Sequence, residues 1–459
     1  MKSRLVLPQQ TSVEWPVPRL TRRALLGGLG GVALASLSGC GSGSGNDSAI
    51  ADGYADRLSY RPGDTATLHL NARRSGKQTL QLLSATGRAV GELTADIYGQ
   101  SPQGASPWES GFGYQPTASL QLPAVASGIY TVDGVVRLIL NTNIGSSADV
   151  VVLYPTNTEA AYNQSGGRNM YGDKSAPIVS FLRPIEPEVS RYTNAFVRWF
   201  SGLQLAYSLR WISDADLEDF GEISTAKLLI VIGHSEYWTR GAREHFDRFV
   251  LNGGNALILS GNTMWWQVRY SDDQSQLICY KDAPDPVADP LLQTVNWNSE
   301  SLDFPIVPSI GAEFPRGGYG REKRDKGWDG FRILQPESPI FRGVKIQRGD
   351  VIHMPSVEYD GAPLLNNPVT EGEPQLDLAA LGAFRAELIG YDYGARGGAD
   401  TVGTWLVYQR TSSSGIVING ASTNWCSASA LEGKSAAQVK QIILNMIELL
   451  LGSEPVFTS

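Results

Sequence analysis

The sequence predicts an α/β protein, a mostly parallel three-layer sheet over residues 151–459 preceded by an all-β sandwich over residues 51–150. Three observations carry this reading. Between Lys227 and Trp266 two short apolar runs, LLIVI and ALILS, each end in polar and aromatic residues, with a helical pattern between them. Other apolar runs near 150–154, 205–209, 403–408 and 415–419 are separated by helical stretches at 188–200, 239–251 and 435–451, a rhythm expected of buried strands covered by helices. Before residue 150, segments such as TATLHLNA, QTLQLLSA and IYTVDGVVRLIL are β-rich and punctuated by Gly, Pro, Asn and Ser, as in a sandwich.

The first 40 residues read as an address. Thr21, Arg22 and Arg23 precede an apolar stretch from Ala24 to Leu37, a twin-arginine export pattern too short to span a bilayer permanently. Leu37, Ser38, Gly39 and Cys40 form a lipobox-like end, which predicts lipidation of Cys40, and residues 41–50 read as a Gly/Ser tether. The expected product is exported and held in the cell envelope by a lipid anchor. The other two cysteines, Cys279 and Cys426, could pair or stay apart, and no CxxC spacing suggests structural zinc.

Composition narrows the function classes. A chain of 459 residues, 42% hydrophobic and 18% charged, can bury the cores of two or three domains. Its net charge of -8 argues against nucleic-acid binding, which needs a concentrated basic face. The stretch from about 270 to 350 breaks the strand and helix rhythm and reads as an insertion beside the site. Its charged run at 321–329 is a solvated loop or a lid. Asp282, Asp285 and Asp289 lie among prolines, which favours a rigid connector over a calcium loop.

The chemistry concentrates in GHSEYW at residues 233–238. Open α/β sheets bind ligands at the C-terminal ends of their strands. There Gly233 permits a sharp turn, and His234, Ser235, Glu236 and Tyr237 follow within one turn. His234 and Glu236 are the candidate catalytic pair, with His234 relaying protons and Glu236 acting as base or orienting the imidazole. A serine nucleophile elbow is disfavoured because Tyr237 stands where G-x-S-x-G needs its second glycine.

Taken together, GYADRLSYRPGD, LYPTNTEAAYNQSGGRNMYG, VSFLRP, GHSEYW, NGGNALILSGNTMWW and GIVINGASTNWC resemble the large subunit of N,N-dimethylformamidase and its relatives. The resemblance implies an α/β domain like class I glutamine amidotransferases and a mononuclear iron held by two tyrosines and one glutamate. On the matching motifs it points to Tyr237 as one ligand. Tyr192 ranks ahead of Tyr162 and Tyr171 for the second, and Glu313 in GAEFPRGGYG takes the place of the family's GGLWR-like block without matching it. The implied function is an exported, lipid-anchored hydrolase of carbon–nitrogen amide bonds. The alternative is a non-catalytic envelope protein that binds glycan or a partner protein through an aromatic cleft. Small-molecule amide or envelope glycan is the expected partner, and self-association into a homo-oligomer is compatible with the sequence.

Overall fold

A computed structural model of the chain describes residues 48–142, 146–281, 283–320 and 328–458. The export signal with Cys40, nearly all of the tether, Asp282 and most of the charged run at 321–329 lie outside the described residues.

The N-terminal strands make two sheets. Strands Ile50–Ala55, Thr65–Ala72 and Ala118–Gln121 make a three-stranded antiparallel sheet. Ser59–Tyr60, Val136–Leu140, Gly128–Val132, Gly76–Ser84 and Ala89–Ile97 make a five-stranded one in that order. Alternate side chains point to a shared core: Ala66, Leu68 and Leu70 from the first sheet meet Leu80, Leu82, Val132, Leu138 and Leu140 from the second.

The largest sheet has eleven strands. Leu209–Ser213, Val150–Tyr154, Leu228–Gly233, Asn255–Ser260 and Ile416–Asn419 lie side by side and parallel. Beyond them the direction alternates: Ala399–Gln409 runs antiparallel to Ile416–Asn419, and Arg385–Arg396 antiparallel to Ala399–Gln409. Gly318–Tyr319, Gly330–Ile333, Val351–His353 and Glu358–Gly361 continue this antiparallel half. Among the described residues strand accounts for 32% and helix for 22%.

These proportions and the mixed sheet correct the expected mostly parallel, class I glutamine amidotransferase-like α/β fold. The physical reason is local. Gly397 and Gly398, both at positive φ, close a hairpin between strands of 12 and 11 residues, and a two-residue turn can join only antiparallel neighbours. The run at 403–408 is therefore part of a hairpin arm, not a strand fed by a crossover helix. The apolar run at 205–209 also differs in register, since the strand occupies Leu209–Ser213.

The parallel strands are buried on both faces. Val150, Val152, Leu228, Ile230, Leu257 and Leu259 pack with Phe196, Phe200 and helix Ala436–Leu451. Val151, Leu153, Leu229, Val231, Ala256 and Ile258 pack with Trp238, Phe246 and Phe249 of the opposite layer, which explains their continuous apolar sequence. The N-terminal sheets are tied on by ionic contacts: Glu222, 2% exposed, takes Arg61, Arg210 (3.1 Å) and Asn141 (3.1 Å). In the 270–350 stretch Asp285 binds Arg269 and Thr294, and Asp289 caps Leu291 N, so both serve as connectors.

The side chain of Phe246 is fully buried with its ring edge-on to Trp238. Phe246→Ala is expected to lower unfolding free energy by about 3–5 kcal/mol in a denaturant titration. Phe384→Ala, at a residue 62% exposed, should change it by less than about 0.5 kcal/mol.

A tyrosine and glutamate cluster as the candidate active site

The strand Leu228–Gly233 delivers the site. Gly233 has φ 76, and a Cβ there would come within 2.6 Å of Thr193 Cγ2, so both backbone conformation and space require glycine. The chain then turns through His234, Ser235 and Glu236 before Tyr237–Thr239 pairs in parallel with Trp266–Tyr270.

A second segment comes from helix Thr156–Tyr162, which follows the strand Val150–Tyr154. Asp214 accepts from Asn157 N (2.7 Å) and Thr156 Oγ1 (3.2 Å) at its start. Thr158 Oγ1 accepts from Glu236 N (2.9 Å), and Asn157 Nδ2 donates to the Tyr237 carbonyl (3.2 Å). The helix thus grips the GHSEYW turn and ends in Tyr162. The chain loops through Gly166 and Gly167, both at positive φ, and returns Tyr171 onto Tyr162, rings stacked at 4.1 Å. Arg183, fully buried, staples this loop by donating to the carbonyls of Ser180, Ser165, Arg168 and Ala160 at 2.7–3.1 Å.

The hydroxyls converge on one carboxylate. Tyr162 donates to Glu236 Oε2 at 2.9 Å, and Tyr171 reaches Oε1 at 2.8 Å and Oε2 at 2.7 Å. Tyr237 donates to the Tyr171 oxygen at 2.5 Å. His234 Nε2 is 3.1 Å from Glu236 Oε2, 3.3 Å from the Tyr162 hydroxyl and 3.7 Å from Glu358 Oε2. Its Nδ1 faces the Gly261 carbonyl at 3.2 Å. A carbonyl only accepts, which favours the ring proton on Nδ1; Nε2 then accepts from the Glu236 carboxyl when that group is protonated, the form that burial favours. His234, Glu236, Tyr237 and Glu358 are buried, while Tyr162 and Tyr171 are partly exposed.

Burial dominates the electrostatics. It lowers the His234 pKa to about 3, with the Arg191 charge acting in the same direction. It raises Glu236 against the opposing pull of Lys281 and the phenol hydroxyls. It also lifts Tyr162, Tyr171 and Tyr237 well above the usual phenol range, with the Glu236 charge adding to the effect. The Lys281 ammonium lies 3.6 Å from the Tyr171 ring centre and donates to the Met170 carbonyl at 2.8 Å. Without a bound cation the phenols are neutral donors, and the imidazole is a neutral base.

The sequence-predicted residues divide. His234, Glu236 and Tyr237 belong to the cluster. Tyr192 lies at its edge, 5.8 Å from the His234 ring, with its hydroxyl accepting from Arg191. Glu313 points elsewhere: its carboxylate accepts from Asn298 (2.6 Å) and Arg316 (2.7 Å). Tyr162 and Tyr171, ranked behind Tyr192, occupy the centre. Glu358 and Lys281 carried no signal beyond their own charge. The Ser235 hydroxyl accepts from Trp238 Nε1 at 3.0 Å, a structural contact. Cys279 and Cys426 are separate buried thiols.

The donor set suits a hard cation. Among the described residues no group of three His, Cys, Asp or Glu side chains is arranged to hold a metal, so a cation here would need tyrosine oxygens. Two phenol oxygens within 2.9 Å of one carboxylate provide hard oxygen donors, and a bound trivalent cation favours the phenolate that burial alone disfavours. The residues present therefore fit an iron held by Tyr162, Tyr171 and Glu236.

No curated protein matches the chain. Among solved structures, a ThuA-like protein from Bacteroides uniformis ATCC 8492 aligns over 67% of this chain and 94% of its own at 9% identity, with a TM-score of 0.34, too low to bear on fold or function. The model of the N,N-dimethylformamidase beta subunit-like family, C-terminal part, matches residues 100–437, and the chain belongs to that family.

Proposed function

We propose that this protein hydrolyses carbon–nitrogen bonds of an amide, with iron held by Tyr162, Tyr171 and Glu236, and that it works in the cell envelope on a lipid anchor at Cys40. The observation that supports the chemistry most directly is the convergence of two tyrosine hydroxyls on both oxygens of Glu236, with His234 Nε2 3.1 Å away. The family name is that of an amide hydrolase. This ligand set replaces the sequence-based trio of Tyr237, Tyr192 and Glu313: Tyr237 is one hydrogen bond further out, on Tyr171.

Iron bound there would supply Lewis acidity toward an amide carbonyl. The protein's part is proton transfer. His234 keeps Nδ1–H on the Gly261 carbonyl, so Nε2 can accept a proton from the attacking water and return it to the departing amine nitrogen. Glu358, 3.7 Å from Nε2, stabilises the imidazolium that forms between these steps. Lys281 offsets part of the negative charge gathered around Glu236.

The full chain, produced with iron supplied, is expected to hold it stoichiometrically and to show a visible tyrosinate band. Tyr162→Phe and Tyr171→Phe should lose iron or the band, whereas Tyr237→Phe should retain iron with a shifted band. A metal-free, colourless protein that binds envelope glycan and cleaves no amide in a substrate screen would instead select the non-catalytic reading.

No helix among the described residues is long and apolar enough to cross a membrane. The lipobox-like Leu37, Ser38, Gly39 and Cys40 support anchoring through Cys40, and Cys40→Ala should move the protein from the membrane fraction to the soluble one in cell fractionation. Unchanged partitioning would refute the lipid anchor.

A further inference from the structure

The N-terminal sheets and the large sheet are parted along one side by a cleft of about 1180 Å³ lined by residues of both. Arg137, on the strand Val136–Leu140, extends across from the cleft wall. Its Nη1 lies 2.6 Å from Glu159 Oε2 and donates to the Tyr154 hydroxyl at 2.7 Å, while the guanidinium carbon is 4.5 Å from the Tyr154 ring centre. The Tyr154 hydroxyl in turn donates to Glu159 Oε1 at 2.8 Å, and Thr193 Oγ1 lies 3.1 Å from the Tyr154 oxygen. Glu159 is 3% exposed.

Glu159 belongs to the helix that carries Tyr162 one turn later, holds Glu236 N through Thr158 and holds the Tyr237 carbonyl through Asn157. Thr193 in the same network packs against Gly233, where the GHSEYW turn begins. We propose that Arg137 is a positioning residue supplied by the N-terminal sheets: through Glu159 and Tyr154 it sets the helix that places Tyr162 against Glu236. This rests on the hydrolase reading only for its consequence in catalysis.

The helix Thr156–Tyr162 is short. Seven residues have too few internal hydrogen bonds to hold a helix rigid alone, so its orientation comes from outside contacts. Asp214 fixes the start and Arg183 grips the Ala160 carbonyl. Glu159 is the one charged side chain on the helix, and a buried carboxylate keeps its place only while paired. Arg137 provides that pairing from a different structural unit, so the N-terminal sheets become part of the site without touching substrate.

Hydrogen exchange of the full chain tests this. In Arg137→Met, exchange in 156–163 and 234–237 should rise about tenfold or more, while helix Arg240–Leu251 and the N-terminal strands keep wild-type protection. Arg137→Lys should restore most of it. The double variant Arg137→Met/Glu159→Gln removes the uncompensated buried charge, which guards against simple misfolding, and should still exchange faster than wild type in the same two segments. If iron is bound, the tyrosinate band should shift and kcat should fall with KM little changed. Unchanged exchange in 156–163, or loosening spread evenly through the Arg240–Leu251 helix, would overturn the proposal. Local loosening in a protein that holds no iron and cleaves no amide would support the positioning role and reject only the hydrolase reading.

Discussion

The candidate site depends on a single costly act, the burial of the Glu236 carboxylate at 2% exposure. An ionised carboxylate leaves water only when donors or a cation replace the lost hydration. Here the donors are the phenol hydroxyls of Tyr162 and Tyr171, with the Lys281 ammonium nearby. The hydroxyls of those partly exposed tyrosines are themselves held well above the usual phenol range by desolvation and the Glu236 charge. Each group is a poor choice for an interior alone, and only their mutual contact makes the set tolerable. The framework around them accordingly goes to keeping them together: Arg183 ties the loop that returns Tyr171, and Thr158 holds the backbone of Glu236 itself.

That dependence explains which parts of the site were readable from the sequence. GHSEYW declared itself because its chemistry and its turn are contiguous: the apolar strand, Gly233 and three functional side chains occupy adjacent positions. Tyr162 and Tyr171 are nine positions apart and come together only because the Gly166–Gly167 turn folds back under Arg183's staple. The motif that holds Arg183, VSFLRP, was legible as a family block while its mechanical role was not, since it acts on the carbonyls of Arg168, Ser165 and Ala160, 15 to 23 positions earlier. Glu313 was chosen by its place along the chain. In space its carboxylate serves Asn298 and Arg316, and it is Glu358, on a strand of the antiparallel half, that approaches His234.

The fold was legible to a similar depth. Buried parallel strands announce themselves as unbroken apolar runs, and LLIVI and ALILS are neighbours in one parallel block. Strand direction, however, is a property of connections and not of the runs themselves. VGTWLVYQ is as apolar as the parallel strands, GIVIN among them, yet it is an arm of the hairpin that turns at Gly397 and Gly398. Those two glycines were the available signal, and the helix-and-strand rhythm around them outweighed it.

The mixed sheet also explains how the candidate site gathers its charged groups from two directions. The parallel half ends its strand Leu228–Gly233 in His234 and Glu236, and the antiparallel half brings Glu358 up from the opposite direction on the strand Glu358–Gly361. Gly261 lies between them: its carbonyl orients His234 Nδ1, and a Cβ there would meet the Glu358 carbonyl at 2.7 Å and Thr423 N at 2.6 Å. A strict parallel sheet would offer only the loops at its strand ends. Joining an antiparallel half at this edge lets a second carboxylate approach the same imidazole from another wall, so that Glu236 and Glu358 both face His234 Nε2.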